Sequence, residues 1–149
     1  GVRVPLIVRG PGVASNRRCS TPVISCDLFH TFLDTAQITE RPDGPTDGRT
    51  LLPLLRDPQA TLNRDTLHFH YPHYYSTTSP VGAIRQGHWK LLEYYEDRPL
   101  ELYRLDQDPG ESNNLAAAHP AIAERLQKEL RAWRKRVDAL EPETNPESN

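Results

Sequence analysis

Short apolar-rich runs, separated by turn residues, occupy the stretch from Gly82 to Leu115. They read Gly82-Ala83-Ile84-Arg85-Gln86, then Trp89-Lys90-Leu91-Leu92 after Gly87, then Leu100 to Leu105 after Glu96-Asp97-Arg98-Pro99. Runs of this length, rich in Ile, Leu, Tyr and Trp and bounded by Gly and Pro, predict strands of an antiparallel meander. Asp108-Pro109-Gly110 is expected to close it, with Pro presetting one turn dihedral and Gly supplying the positive one. Adjacent Leu91/Leu92 and Tyr94/Tyr95 break strict alternation, so both sheet faces are expected to be partly covered. Upstream, Asp65 to Tyr71 predicts a further strand, with Leu67, Phe69 and Tyr71 on one face and His68 and His70 on the other.

Helical spacing appears at two places. Leu28, Phe29, Phe32, Leu33 and Ala36 form one apolar face on a helix over Ser25–Ala36, with Ser25 or Asp27 able to cap it. Ile122, Leu126, Leu130, Trp133 and Val137 form one stripe on a helix over Pro120–Val137. Pro120 suits its first position, and Glu124 followed by Arg131, Arg134, Lys135 and Arg136 complements its dipole. Such a stripe cannot offset the chain entropy of so long a helix by itself, so the helix is expected to lie on the sheet. Thr50 to Leu55 predicts a short helical turn, Pro42 to Gly48 a loop and Glu141 to Asn149 a fraying tail. Val2 to Val8 is nearly all apolar and predicts a strand covered on both faces, which needs sheet neighbours that the next sixty or so residues do not offer.

A net charge of -2 carries no electrostatic footprint for nucleic acid or a membrane surface, and no run approaches a membrane span. Cys19 and Cys26 are the only cysteines, and either one disulfide or two thiols fits them. The chain starts at Gly1, contains no Met and shows no charged-then-apolar leader, so it is expected to be a piece of a longer protein.

The densest polar-aromatic cluster is His68-Phe69-His70-Tyr71-Pro72-His73-Tyr74-Tyr75. His68 and His70 share a strand face, and His73 folding back would complete a zinc site. A strand edge with part-exposed imidazoles fits the same residues. Arg85, Lys90 and Arg104 would make an anion site if they converged, but solvated stems on a sheet are the commoner use. Asp106, Asp108 and Glu111 lack the calcium-loop spacing and suit a turn. His119 before Pro120 suits a helix cap. No Gly-x-Ser-x-Gly elbow is present.

Two separated motifs stand in order: Ala83-Ile84-Arg85-Gln86-Gly87 with Trp89-Lys90-Leu91, then Glu101-Leu102-Tyr103 with Leu105, Asp108-Pro109, Glu111 and Asn114-Leu115. Together they resemble the C-terminal subdomain of arylsulfatase-type sulfatases, the type I, formylglycine-dependent enzymes. Gly1-Val2-Arg3-Val4-Pro5-Leu6-Ile7-Val8, Ser20-Thr21-Pro22-Val23, Asp27-Leu28-Phe29 and Asp47 to Leu55 extend the resemblance to nearly the whole chain. His30 departs from the family's usual Pro and Gln37 from its usual Gly, for which changed local packing is expected. The resemblance implies an α/β plus α+β fold. Residues 1–58 would end an alkaline-phosphatase-like α/β catalytic domain. Residues 59–149 would form a small four-stranded antiparallel sheet with one C-terminal helix packed on it.

The same resemblance implies a parent that hydrolyses sulfate esters on carbohydrate or aryl groups, using calcium and a formylglycine whose gem-diol attacks sulfur. The nucleophile motif Cys/Ser-x-Pro-x-Arg is absent here, so no catalytic residue carries over and no cofactor is expected in this piece. Its implied partners are the N-terminal catalytic domain and a sulfated small molecule or glycan, with self-association through residues 1–58 as a further expectation. His70, His73 and Tyr74 would then help wall the substrate cleft. A separate metal- or sugar-binding module built on His68, His70 and His73 is the alternative. Relatives of this kind occur in bacterial, lysosomal and secreted settings. Because Val2–Val8 and the Leu28/Phe29/Phe32/Leu33 face lack a sheet to cover, we predict that residues 1–58 are weakly protected from amide exchange or buried between copies. Full protection of both segments in a dilute monomer contradicts this.

Overall fold

A computed structural model describes residues 3–41, 43–44 and 46–142. The expected loop residues Pro42 and Pro45, the first residue of the expected Val2–Val8 strand and most of the expected fraying tail lie outside these. The chain divides into two compact units, Gly1–Asn63 and Arg64–Asn149.

The second unit is a meander of β1 (Thr66–Tyr71), β2 (Val81–Gln86), β3 (Trp89–Tyr94) and β4 (Glu101–Arg104), antiparallel in the order β1-β2-β3-β4. Gln86 pairs with Trp89 across a two-residue turn, where Gly87 takes the positive φ of 55° that such hairpins require. A helix, Pro120–Arg136, packs against β1, β2 and β3. Ile84, Leu91, Leu102, Ala123, Leu126 and Leu130 form the core between them, all but Ala123 fully buried. The sheet's other face buries Leu67, Ala83, Lys90 and Tyr103, as the broken alternation predicts.

The helical stripe is only partly as expected. Val137 caps the helix and is 47% exposed, while Arg134 takes a buried place beside Leu130. The reason is Glu93, a buried carboxylate on β3 that the sequence pattern did not mark. Arg134 ion-pairs with it, Arg131 Nε donates to it at 2.6 Å and Gln127 Nε2 at 2.7 Å. A β-carbon at Gly82 would sit 3.2 Å from Arg134 Nη1 and 3.4 Å from Leu130 Cδ2, so this glycine admits the helix. His119 is the residue before the helix but makes no side-chain cap. Its carbonyl accepts from Ile122 and Ala123 at 3.1 Å, and its ring meets the Trp89 ring edge-on.

The turn after β4 also differs from expectation. Positive φ falls on Glu111 (55°), not Gly110. Asp108 holds the turn instead, accepting from the amides of Ser112 and Asn113 and from Ser112 Oγ, each at 2.9 Å. Glu111 is directed to Lys90 Nζ at 2.6 Å, an ion pair that offsets burial of that lysine in the sheet.

In the first unit, α1 (Cys26–Thr35) and α2 (Leu52–Arg56) match the expected helices closely. Residues 3–8, however, form no strand, and Val4 and Ile7 are 79% and 91% exposed. A strand needs ladder partners, and no strand lies in this unit among the described residues. The helix α1 is inverted relative to its pattern. Asp27 and Thr31 are buried, whereas Phe29 and Phe32 are 49% and 65% exposed. Ser25 makes no side-chain cap. Instead Asp27 accepts from the amides of Ile24 and Arg49, each at 2.8 Å, and Thr31 Oγ1 accepts from the Leu51 amide at 2.9 Å. A β-carbon on Gly48 would lie 2.3 Å from the Cys26 carbonyl oxygen, so the segment can run this close only as glycine. Cys19 and Cys26 are free and exposed.

Both departures from the family pattern acquire a physical meaning. His30 lies in the helix with its ring edge to Phe29 and its Cδ2 close to Gly48. Gln37 is not a helix position: it follows the helix in the left-handed region, φ 57°. Its amide donates to Asp34 O and that of Ile38 to Leu33 O at 2.9 Å, a helix stop that favours glycine.

Two predictions follow from these turns. Gln37→Gly relieves left-handed strain and raises the stability of the first unit by about 0.5–1 kcal/mol, read from denaturant midpoints; an unchanged or lower midpoint contradicts it. The amides of Asn113 and Ser112 hold the Asp108 carboxyl below the usual carboxylate range. A depressed carboxyl stabilises fully above its unfolded pKa, and that contribution is lost as pH falls through the folded one. Asp108→Asn therefore weakens amide protection of residues 111–114 at neutral pH and flattens its decline into acid, which exchange-detected NMR reads directly.

Candidate functional site

The cluster from His68 to Tyr75 straddles the end of β1 and the loop that leads to β2. Alternation along β1 sends His68 and His70 toward the helix and Leu67, Phe69 and Tyr71 to the other face. His68 stacks on Trp133, ring centroids 4.8 Å apart and planes 9° from parallel. His70 is held at both nitrogens. Its Nε2 donates to the Leu140 carbonyl at 2.8 Å, which leaves Nδ1 to accept from Tyr95 Oη at 2.7 Å. Burial pushes the Tyr95 phenol up, and the Arg134 guanidinium lies over its ring at 4.9 Å. His70 thus ties the segment after the C-terminal helix to the end of β1.

Beyond β1 the chain turns outward. Tyr75 and Thr78 exchange two backbone hydrogen bonds at 3.0 and 3.1 Å, which closes a small loop. His73, Tyr74 and Tyr75 are exposed on it, and His73 meets Tyr71 edge-on at 5.6 Å. Tyr74 Oη donates to Glu96 Oε1 at 2.6 Å. That bond raises the Tyr74 phenol and lowers the Glu96 carboxyl from their ordinary ranges. The loop therefore presents aromatic rings and one imidazole, braced from behind by a carboxylate.

The three histidines do not converge. One is stacked beneath a tryptophan, one is spanned between a tyrosine and a carbonyl, and one stands on the loop. Among the described residues, no group of three His, Cys, Asp or Glu is placed to hold a metal ion. The zinc arrangement is thereby corrected: strand alternation put two imidazoles on one face, but the helix packs on that face. Arg85, Lys90 and Arg104 do not form an anion site either. Arg85 and Lys90 are register partners on one face, with Lys90 buried against Glu111. Arg104 pairs with Asp106 at 3.2 Å on the opposite face, beside Trp89. The Cys/Ser-x-Pro-x-Arg motif from which a formylglycine is made does not occur in this sequence, and the described residues offer no group of His, Cys, Asp or Glu placed to hold calcium.

Two partners of the cluster, Tyr95 and Glu96, escaped the sequence reading. They sit at the end of β3, far along the chain, and only the β2–β3 register brings them opposite the loop. A cleft of about 360 Å³ lies nearby, lined by Glu93, Tyr95, Arg131, Arg134 and Glu141 among others. The signal for it was Arg131 and Arg134 close together near the helix C-terminus, which also reads as dipole complementarity.

The family description "N-sulphoglucosamine sulphohydrolase, C-terminal" matches residues 1–136. A sulfatase of Formosa agariphila is 32% identical over 149 aligned residues, covering 89% of this chain and 27% of that protein. A solved 2-O GAG sulfatase superposes with a TM-score of 0.71 at 24% identity, over 92% of this chain and 31% of that one. A protein solved with its substrate D-glucosamine-2-N,6-O-disulfate superposes with a TM-score of 0.60 at 28% identity, over 78% of this chain and 24% of that one. The chain spans about a quarter of the length of the curated relatives it matches. The meander with its crossing helix is thus a part of the sulfatase architecture, whose fold is alkaline-phosphatase-like. By that match over most of its length, this chain belongs to the sulfatase family, in the region described as the C-terminal part of those enzymes.

Proposed function

We propose that this chain is the C-terminal portion of an enzyme that hydrolyses sulfate esters on carbohydrate, and that it supplies scaffold and one wall of the substrate cleft. The observation that carries the reading is the inversion of α1. Phe29 and Phe32 face outward together with the apolar run Val4, Leu6 and Ile7, and a folded catalytic domain N-terminal to this chain is the natural cover for them. Residues up to about 58 would complete that domain, and the remainder would form the subdomain. The substrate D-glucosamine-2-N,6-O-disulfate of a structural neighbour supports a sulfated amino sugar as the class.

In this reading His73 and Tyr74 contact the sugar. Tyr74 offers a ring face for stacking and a hydroxyl already fixed by Glu96, and His73 offers a hydrogen bond. His70 works behind them, holding the strand end from which the loop departs. Nothing in this chain performs the bond cleavage, for which the parent's own nucleophile and metal would be needed.

This chain alone is expected to turn over neither an aryl sulfate nor a sulfated glucosamine, while a protein extended through the N-terminal catalytic domain turns over at least one. In that longer protein, His73→Ala with Tyr74→Ala raises KM for sulfated glucosamine about tenfold, some 1.4 kcal/mol of binding, with kcat for a small aryl sulfate unchanged. Turnover by the present chain, or an unmoved KM, overturns the respective part of the reading.

A further inference from the structure

The first unit carries a groove of about 600 Å³ that none of the preceding functions uses. Asn16, Arg17 and Arg18 line it from one loop, and Arg56, Asp57 and Gln59 from the end of α2. These segments are far apart in sequence. The Ala14 amide donates to the Leu55 carbonyl at 2.8 Å and fixes one against the other. Asn16 turns the loop in the left-handed region, φ 52°, a conformation that asparagine tolerates better than most residues. Asp57 is occupied locally, its Oδ1 accepting from the Gln59 amide at 2.9 Å. Among the described residues, Arg17, Arg18 and Arg56 form no ion pair. The exposed Arg41 and Arg98 have carboxylate partners, and Arg9 and Arg136, exposed and without an ion pair among the described residues, do not line the groove.

With three arginines and one carboxylate among its lining residues, the groove carries net positive charge in a chain whose formal charge is -2. Guanidinium forks donate two parallel hydrogen bonds to tetrahedral or planar oxyanions. The side-chain amides of Asn16 and Gln59 add donors and acceptors suited to hydroxyl groups. The volume suits one or two sugar units. No aromatic side chain lines the groove, so it lacks the stacking platform that single-stranded nucleic acid requires.

We infer that this groove binds a sulfated glycan segment, with Arg17, Arg18 and Arg56 holding its sulfate groups and Asn16 and Gln59 its hydroxyls. The inference deepens the sulfated-carbohydrate reading above and takes its ligand class from it. It also gives this chain a task of its own: retaining the polymer on which the longer enzyme acts.

The test is calorimetric titration of a heparin-derived hexasaccharide into the full chain at low ionic strength. Binding is expected, and complete chemical desulfation of the hexasaccharide should weaken it at least about tenfold. The variant Arg17→Ser/Arg18→Ser/Arg56→Ser should lose affinity to the same degree. The corresponding triple Lys variant, which keeps charge but lacks the fork, should fall between the two. Equal binding of the desulfated sugar, unchanged affinity in the Ser variant, or equal affinity for a single-stranded oligonucleotide of matched charge each overturns the site. Because binding is read on this chain and turnover on the longer protein, failure of one leaves the other standing.

Discussion

A single buried carboxylate, Glu93, determines where the C-terminal helix lies on its sheet. Removing an ion from water costs several kcal/mol unless partners are placed to receive it. Arg134 and Arg131 meet it from one helix, with Gln127 a turn earlier, so helix and strand are locked in one rotation and one register. Leu126 and Leu130 then fall on Ile84, Leu91 and Leu102, and the apolar core closes around the pair. Core burial supplies most of the driving force. The ion network supplies uniqueness, since a rotation of the helix would leave charges buried and unmatched. Gly82 makes the arrangement possible by leaving room for the arginine where any side chain would crowd it.

The position of the helix in turn shapes the histidine cluster. With Trp133 set by its neighbours, His68 is covered by stacking, and the segment that leaves the helix passes within reach of His70. The loop after β1 is what remains accessible. Its rings are held out by a short two-bond closure and by Glu96. Loops carried by a rigid sheet are where binding residues are commonly found.

The first unit obeys a different logic. Its helix α1 is fastened through polar groups, with Asp27 and Thr31 gathering backbone amides from Ile24, Arg49 and Leu51. Asp27 satisfies donors that would otherwise be buried without partners, which is why a carboxylate is found fully enclosed there. The apolar side of the same helix points away from this fastening. In the reading proposed above, a catalytic domain N-terminal to this chain covers that side, while the polar face holds the segment that carries Gly48, through Arg49 and Leu51.

Much of this was legible beforehand. Run length, Gly87 and the Pro120 start defined the strands and the long helix within a residue or two, and the order of the two motifs specified the family. Amphipathic spacing also located α1, yet it pointed to the wrong buried face, because Asp27 and Thr31 are buried by the hydrogen bonds they accept from backbone amides, those of Ile24 and of residues about twenty positions away, Arg49 and Leu51. In the same way residues 3–8 have strand composition, but among the described residues of this unit there is no strand to pair with them. What the sequence determined by itself were the local elements, their type and their family, since these depend on dihedral preference and periodicity along a few neighbouring residues. The tertiary structure alone decided which groups meet: Glu93 with Arg134, His70 with Tyr95 and Leu140, and Arg17 with Arg56 around one groove. Those pairings join residues about 25 to 70 positions apart, and their energies come from desolvation and hydrogen-bond geometry in three dimensions, which no local pattern encodes.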